Sequence, residues 1–211
     1  MTVLEEISQY VQQGRAGLLT DCIERALAEQ VPIRDILEKG LLDGMNKVNS
    51  SYRKNEVYVP EILISSHAMT VGLEVLEPYF MENKNGKVGT VILGTVRGDM
   101  HDIGKQLVKM MMESRGLEVI DIGIDVPARV FVEKAREHNA KVIACSALLT
   151  TTMYEIQKVV EAVRNSDLNG KVKVMAGGAP VSKLFCDYIH ADCYTENALM
   201  AAEKAVELCR E

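Results

Sequence analysis

The chain has 211 residues, a length that allows one large domain or two small ones, with enough core for independent folding. Its formal charge of -6 at pH 7 argues against nucleic acid or an anionic membrane as the main partner. No apolar run approaches the roughly 20 residues of a membrane span, and the acidic start Met1–Glu6 is not that of a signal peptide, so we expect a cytoplasmic protein.

Residues 1–84 contain helical patterns only and predict a four-helix bundle. Pro32 and Pro60 suit the first turns of two of its helices. The segment 59–80 carries an apolar stripe of the kind that packs in a small bundle. The stripe consists of Ile62, Leu63, Met69, Leu73 and Leu76. The polar run 82–87 follows, and it is the best candidate for a linker between two domains.

Residues 88–211 alternate strand and helix patterns, which predicts an α/β second domain. Strands are expected near residues 88–96, 117–123, 142–148, 172–176 and 192–195, with helices between them. Five strands with five helices indicate a doubly wound, five-stranded parallel sheet of flavodoxin-like order. In such a sheet, ligands bind at the carboxyl ends of the strands.

The first predicted strand is followed by a loop that contains a histidine. This histidine loop reads Gly98-Asp99-Met100-His101-Asp102-Ile103-Gly104, and a helical pattern begins after it. A carboxylate two residues before a histidine can hold one ring nitrogen, while the other nitrogen faces outward as a metal ligand. For an isolated Asp-x-His motif, the alternative is a surface histidine without a role.

Two later strands end in small or hydroxyl residues. The third ends in Ser146-Ala147-Leu148-Leu149-Thr150-Thr151-Thr152, and the fourth ends in Gly177-Gly178. Glycines remove Cβ atoms where another group passes close to the backbone, although an ordinary tight turn would need them as well. Each feature is weak alone, but the three in this order favour a ligand site over a surface histidine.

Together these motifs resemble the cobalamin-binding proteins of methyltransferase systems. The family pattern is Asp-x-His-x-x-Gly, then Ser-x-Leu, then Gly-Gly, and here it stands at 99–104, 146–148 and 177–178. Residues 1–84 resemble the helical cap of these proteins, so the resemblance covers nearly the whole chain. It implies a Rossmann-like cobalamin-binding domain in a free-standing corrinoid protein of anaerobic, methylotrophic or acetogenic one-carbon metabolism. The corrinoid region of methionine synthase is a larger relative.

The resemblance assigns roles to the histidine loop. Cobalamin would bind with its own benzimidazole base detached from cobalt, and His101 would take the vacant lower position. Asp99 and Thr152 would form a relay behind the histidine, although a helix N-cap is an alternative role for Thr152. Gly104 would let the corrin approach the backbone. The other loop residues counted as cofactor-binding are Gly98, Met100, Asp102 and Ile103.

The resemblance also implies a slot for the detached nucleotide tail. Ser146 would hydrogen-bond the benzimidazole, Leu148 would line the slot, and Thr150 would lie near the corrin or the tail. Three further positions would make room for the tail or contact it: Gly177, Gly178 and Ala198.

The helical cap would cover the upper face of the corrin, which carries the methyl group. Tyr52 and Val59 stand where the family packs side chains over the methyl, and Glu38 matches a residue near the same face. Tyr52 departs from the phenylalanine of methionine synthase. The alternative is that Tyr52 and Val59 belong to the core of the bundle.

By resemblance, such a protein shuttles methyl groups and does not catalyse alone. The nucleophile is cob(I)alamin, and a donor-specific methyltransferase places the methyl donor over its cobalt. A second methyltransferase then moves the methyl group from methylcobalamin to tetrahydrofolate or a thiol, and a reductive activase is a further expected partner. Because both transfers need the same upper face, the cap must swing away, with 82–87 as its hinge. The donor stays open among methylamines, methanol, methoxylated aromatics and betaines.

Three other interpretations fit part of the pattern. The cobalamin-binding subunit of an adenosylcobalamin mutase shares the three motifs but usually lacks a helical cap. A cobalamin-based sensor has a helical bundle, yet it would normally carry a DNA-binding domain. A flavodoxin-like signalling module without a cofactor would not need the combined motifs.

Overall fold

The computed structural model describes residues 1–80 and 88–210. It divides into two compact units, Met1–Tyr79 and Phe80–Glu211. The predicted end of the first domain at residue 84 and the predicted hinge at 82–87 lie outside the described residues.

The N-terminal unit consists of helices that form four rods. A capping box starts the first rod: the Glu5 N–H donates to Thr2 Oγ1, and the Thr2 N–H donates to the Glu5 carboxylate. A π-helical turn joins the third and fourth α-helices without a break. The rods are α1 (Val3–Gln12), α2 (Ala16–Ala28), α3 (Ile33–Asp35) with the π-helical turn (Ile36–Leu42) and α4 (Asp43–Arg53), and α5 (Val59–Phe80).

The rods of this unit pack around an apolar core, and α5 contributes a buried stripe to it. The buried side chains of α5 include Ala68, Met69, Leu73 and Leu76. Leu63 was expected in this stripe but is 65% exposed. The reason is that the stripe continues toward the helix start through the buried Ser65 and the half-buried Ile62, on the other side of the helix.

By length and composition alone, the α5 segment Val59–Tyr79 could cross a membrane. The expectation that no run of this kind exists is therefore wrong by that measure. One such helix is weak evidence for a membrane protein, because a core helix of a soluble protein passes the same test. The buried stripe of α5 accounts for part of its apolar character.

The C-terminal unit contains a five-stranded parallel sheet with the order β2-β1-β3-β4-β5. This is the predicted flavodoxin-like order. Helices cover both faces, with α7, α8 and α9 over one apolar cluster and α6 and α10 over the other. The elements are β1 (Gly89–Thr95), α6 (Ile103–Glu113), β2 (Leu117–Asp121), α7 (Ala128–Glu137), β3 (Val142–Ser146), α8 (Met153–Arg164), β4 (Lys173–Gly177), α9 (Lys183–Ile189), β5 (Cys193–Thr195) and α10 (Ala198–Arg210).

The carboxyl ends of four strands form one row across the sheet. Thr95 of β1 pairs with Ser146 of β3, Ser146 with Gly177 of β4, and Gly177 with Thr195 of β5. The chain order reverses between β1 and β3, and such a switch point is where doubly wound sheets bind ligands. The loops after β1 and β3 therefore meet at the expected position of a site.

Candidate functional site

The histidine loop follows β1 and places His101 at the carboxyl edge of the sheet. His101 Nδ1 lies 2.6 Å from Asp99 Oδ1. The side chain of His101 is 47% exposed, whereas that of Asp99 is fully buried. One ring nitrogen is therefore held by a carboxylate from inside, and the half-exposed ring leaves Nε2 as the nitrogen that can bind a metal.

The second oxygen of Asp99 binds the loop after β3. Oδ2 accepts hydrogen bonds from the Leu148 N–H at 2.7 Å, the Leu149 N–H at 3.3 Å and Thr152 Oγ1 at 2.6 Å. Burial by itself would raise the pKa of Asp99, but the bonds from Thr152, the Leu148 N–H and His101 outweigh it and hold the pKa at about 2. Asp99 is thus an anion at neutral pH.

The anionic carboxylate decides the tautomer of the histidine. Because Asp99 can only accept, Nδ1 of a neutral His101 must carry the proton, and Nε2 keeps its lone pair for a metal. Thr152 precedes α8 in the N-cap position but makes no side-chain cap hydrogen bond there. Its hydroxyl donates to Asp99 instead, so the structure brings the three side chains of the expected relay together.

The other residues of the histidine loop flank Asp99 and His101. Gly98 has a φ of +79°, a left-handed conformation that favours glycine. Met100 is 67% exposed. Gly104 is in the first turn of α6 and has no atom within 4 Å of the place a Cβ would take, so its surroundings are open. Asp102 and Ile103 lie at the junction with α6, where Asp102 Oδ1 pairs with Lys105 Nζ at 2.8 Å.

A cavity of about 240 Å³ opens beside the row of strand ends, and its lining is mostly apolar. Six residues predicted for the cofactor site line it: Gly104, Ser146, Leu148, Gly177, Gly178 and Ala198. Thr150 is exposed and is not among its lining residues. The structure thus collects most of the expected tail-binding positions, from four different loops and strand ends, around one hollow.

One of the two glycines, Gly178, is needed by the backbone of the protein itself. Gly178 has a φ of +123°, and a Cβ there would lie 1.9 Å from the Ala147 carbonyl oxygen. A Cβ on Gly177 would lie 3.0 Å from the Thr195 carbonyl oxygen. The tight-turn alternative therefore explains Gly178, since β3 and β4 could not close together with any side chain at this position.

Comparisons with known proteins point to one family. Two models of a B12 binding domain match the chain, over residues 89–203 and 3–77. Dimethylamine corrinoid protein 3 of Methanosarcina acetivorans is 43% identical over 206 residues, which cover 98% of this chain and 96% of that protein. The chain belongs to the B12-binding corrinoid proteins.

Solved structures agree with this assignment. The monomethylamine corrinoid protein of Methanosarcina barkeri matches with a TM-score of 0.91 at 35% identity, covering 98% of both chains. The methanol:cobalamin methyltransferase complex of the same organism matches with a TM-score of 0.56 at 25% identity, covering 99% of this chain and 80% of that one. Both the fold class and the resemblance are confirmed, and the mutase and sensor alternatives are not favoured. The cofactor of this corrinoid protein is cobalamin, and its function is that of a methyl carrier.

The residues of the C-terminal unit fit such a cofactor. An imidazole supplies a single ligand, so a metal held by His101 would need its other ligands from the cofactor itself, and a corrin ring would supply them. The open surroundings of Gly104 suit a flat ring close to the backbone. The apolar cavity beside it suits the benzimidazole of a detached tail.

Lys105 is a member of the site that the sequence reasoning missed. Its side chain is 2% exposed, lines the cavity, and pairs with Asp102 and with Asp121 at the end of β2. Lysine is almost never fully buried without such partners. The spacing could have predicted its burial, because Lys105 shares the inner face of α6 with Val108 and Met112, three and seven residues later.

The three expected cap residues lie in the N-terminal unit. Tyr52 is 45% exposed and Val59 is 55% exposed, so the alternative that they form bundle core is wrong. Glu38 is exposed on the π-helical turn, and its Oε1 accepts a hydrogen bond of 2.9 Å from Arg34 Nε. The exposed Tyr52 and Val59 side chains are thus available for contacts outside the unit's own core.

Proposed function

We propose that His101 is the lower ligand of a cobalamin whose own base is detached, and that the detached tail enters the cavity beside β3, β4 and β5. The observation that carries this proposal is the 2.6 Å bond between His101 Nδ1 and Asp99 Oδ1, with Thr152 behind it. Cobalt in the bound cofactor supplies a nucleophile that accepts a methyl group and later gives it up.

The protein's own residues set ligation and access. Asp99 orients the imidazole and fixes which ring nitrogen carries the proton, and Thr152 with the two leucine amides keeps Asp99 ionised. Ser146 lines the cavity and offers a hydroxyl to a ring nitrogen of the tail. We assign Tyr52, Val59 and Glu38 to a cap that would shield the methyl-bearing face of the cofactor from water.

We propose partners for both the loading and the unloading of the methyl group. We propose a methylamine, with dimethylamine first, as the methyl donor, because the Methanosarcina acetivorans relative is named for dimethylamine. A donor-specific methyltransferase loads the carrier. A second methyltransferase passes the methyl group to tetrahydrofolate or a thiol, and a reductive activase restores the cobalt oxidation state after accidental oxidation. These steps take place in the cytoplasm.

The ligand assignment is tested by His101→Ala. The full chain is loaded with cob(III)alamin, and its absorbance spectrum is compared with that of wild type and of the surface variant His138→Ala. We expect His101→Ala to retain some cofactor through the tail cavity but to lose the spectrum of histidine ligation, whereas His138→Ala keeps it. An unchanged spectrum in His101→Ala would rule out the assignment.

The donor is tested by reconstitution. The loaded, reduced carrier is mixed in turn with methyltransferases specific for dimethylamine, monomethylamine and methanol, each with its substrate, and methylation is followed by absorbance. The dimethylamine enzyme should methylate the carrier fastest. If the methanol enzyme does so instead, the methylamine assignment is wrong while the ligand assignment stands.

A further inference from the structure

Asp125 lies in the loop after β2, and its side chain reaches across to the histidine loop. Asp125 Oδ1 accepts a hydrogen bond of 2.7 Å from the Gly98 N–H, immediately before Asp99. The Asp125 N–H in turn donates to the Asp99 carbonyl oxygen at 3.1 Å. Asp125 therefore binds both the Gly98 N–H and the Asp99 carbonyl oxygen. We call this pair of hydrogen bonds the Asp125 clamp.

Both loops adopt a left-handed backbone conformation at the residues that form the Asp125 clamp. Gly98 has a φ of +79° and Asp125 a φ of +54°, the left-handed region that few residues other than Gly, Asn and Asp adopt readily. Around the clamp, the Val126 N–H donates to the Thr95 carbonyl oxygen at 3.0 Å, and Val96 pairs with Val126. These backbone bonds do not involve the Asp125 side chain, so the loops keep their pairing without it.

We infer that Asp125 is a positioning residue for the metal-binding histidine, an inference that rests on the proposed role of His101. The position of the Asp99 carboxylate depends on the peptide at 98–99, and the direction of the His101 ring depends on that carboxylate. Without the Asp125 oxygen, the Gly98 N–H loses its partner and the peptide gains freedom to rotate. The imidazole then spends less time aimed at the cofactor.

A simple alternative is that Asp125 only fills a left-handed turn position. Two substitutions separate the two roles. Asp125→Asn keeps both the tolerance of a left-handed φ and an oxygen acceptor, whereas Asp125→Gly keeps the backbone freedom and removes the acceptor. Asn139→Gly is the matched control, because Asn139 is also exposed and left-handed, with a φ of +50°, and follows α7 at the opposite edge of the sheet.

The first measurement is the absorbance spectrum of each full-length variant loaded with cob(III)alamin and titrated with free imidazole, which competes with His101. We expect Asp125→Gly to be displaced by about tenfold less imidazole than wild type, the scale of loss seen when groups supporting a metal ligand are removed. Asp125→Asn and Asn139→Gly should stay close to wild type.

The second measurement needs no cofactor. Amide hydrogen exchange at Gly98 in the unloaded full chain should be about tenfold faster in Asp125→Gly than in wild type, because a local bond that protects the amide is gone. Wild-type imidazole competition and wild-type exchange in Asp125→Gly would overturn the inference, and so would an Asp125→Asn variant as impaired as Asp125→Gly. If wild type and His101→Ala share one spectrum, the ligand assignment fails, and Gly98 exchange still tests the clamp.

Discussion

At the residue scale, Asp99 links the histidine to the rest of the protein. The resemblance to the corrinoid proteins implied that Asp99, His101 and Thr152 interact. The predicted sheet agreed with it, because the carboxyl ends of β1 and β3 are neighbours in that strand order. The bonds from the Leu148 and Leu149 amides were not predictable, because nearly every residue has a backbone N–H and its use does not depend on residue type. They complete the shell that keeps a buried carboxylate ionised.

The hydroxyl of Thr152 should matter more than its methyl group. Thr152→Val leaves Asp99 Oδ2 without its 2.6 Å donor, and we expect a loss of about 10-fold or more in the affinity of His101 for cobalt. Thr152→Ser retains the hydroxyl and should behave like wild type. Imidazole competition against bound cob(III)alamin measures both variants, and a Thr152→Val protein equal to Thr152→Ser would contradict the relay.

The low pKa of Asp99 should appear in the acid stability of the unloaded protein. Its folded pKa of about 2 lies below the roughly 3.9 of an unfolded aspartate, so the unfolded state binds more protons at low pH. The stabilisation is full above about pH 5 and is lost as pH falls toward 2. It amounts to about 3 kcal/mol. In Asp99→Asn the free energy of urea unfolding should lack this contribution at pH 7, and its difference from wild type should narrow between pH 5 and pH 3.

At the scale of elements, the strand ends build the cavity. The order of the five strands could be predicted from their spacing and from the helices between them, and with it the edge that forms the site. The close approach of the backbone at Ala147 and Gly178 could not be predicted, because it depends on the exact distance between two neighbouring strands. A bulky residue at Gly178 would therefore disturb the sheet itself and is no clean test of the tail slot.

Ala198 offers a better test of the tail slot, since it starts α10 at the cavity wall. Ala198→Phe should fill part of the cavity and weaken cobalamin binding by about 10-fold to 100-fold, the usual cost of overpacking. Ala198→Ser is the conservative control. Binding of cobinamide, which lacks the nucleotide tail, should change little in either variant. Equal losses for cobalamin and cobinamide would place the tail elsewhere.

At the scale of the whole molecule, each of the two units matches a model of a B12 binding domain. The helical N-terminal unit could be predicted from apolar spacing alone, but its π-helical turn could not, because a π-helical turn has no periodicity of its own in so short a segment. The exposure of Tyr52 and Val59 was also beyond pattern analysis. An apolar residue on a helix predicts burial. Only the packed structure shows whether that residue is buried in the core of its own unit.

The cap role of these two side chains is tested with the double variant Tyr52→Ala and Val59→Ala. Both side chains are exposed, so the bundle should remain folded. We expect bound methylcobalamin to photolyse faster than in wild type, because a less covered methyl radical escapes before it recombines with cobalt. Leu18→Ala, at an apolar residue of the same unit that is 42% exposed, serves as the control. Equal rates in all three proteins would move Tyr52 and Val59 from the cap to another role.

The long reach of Asp99 has a consequence for how the protein is made. Its Oδ2 binds groups 49 to 53 positions later in the sequence, at Leu148, Leu149 and Thr152. A growing polypeptide that has emerged only as far as His101 therefore has the imidazole but no fixed carboxylate behind it. The cavity closes later still, when β4 and β5 have been synthesised and paired. Loading with the cofactor consequently belongs to the finished chain, and a ribosome-bound fragment that ends before residue 148 should show no affinity from this histidine.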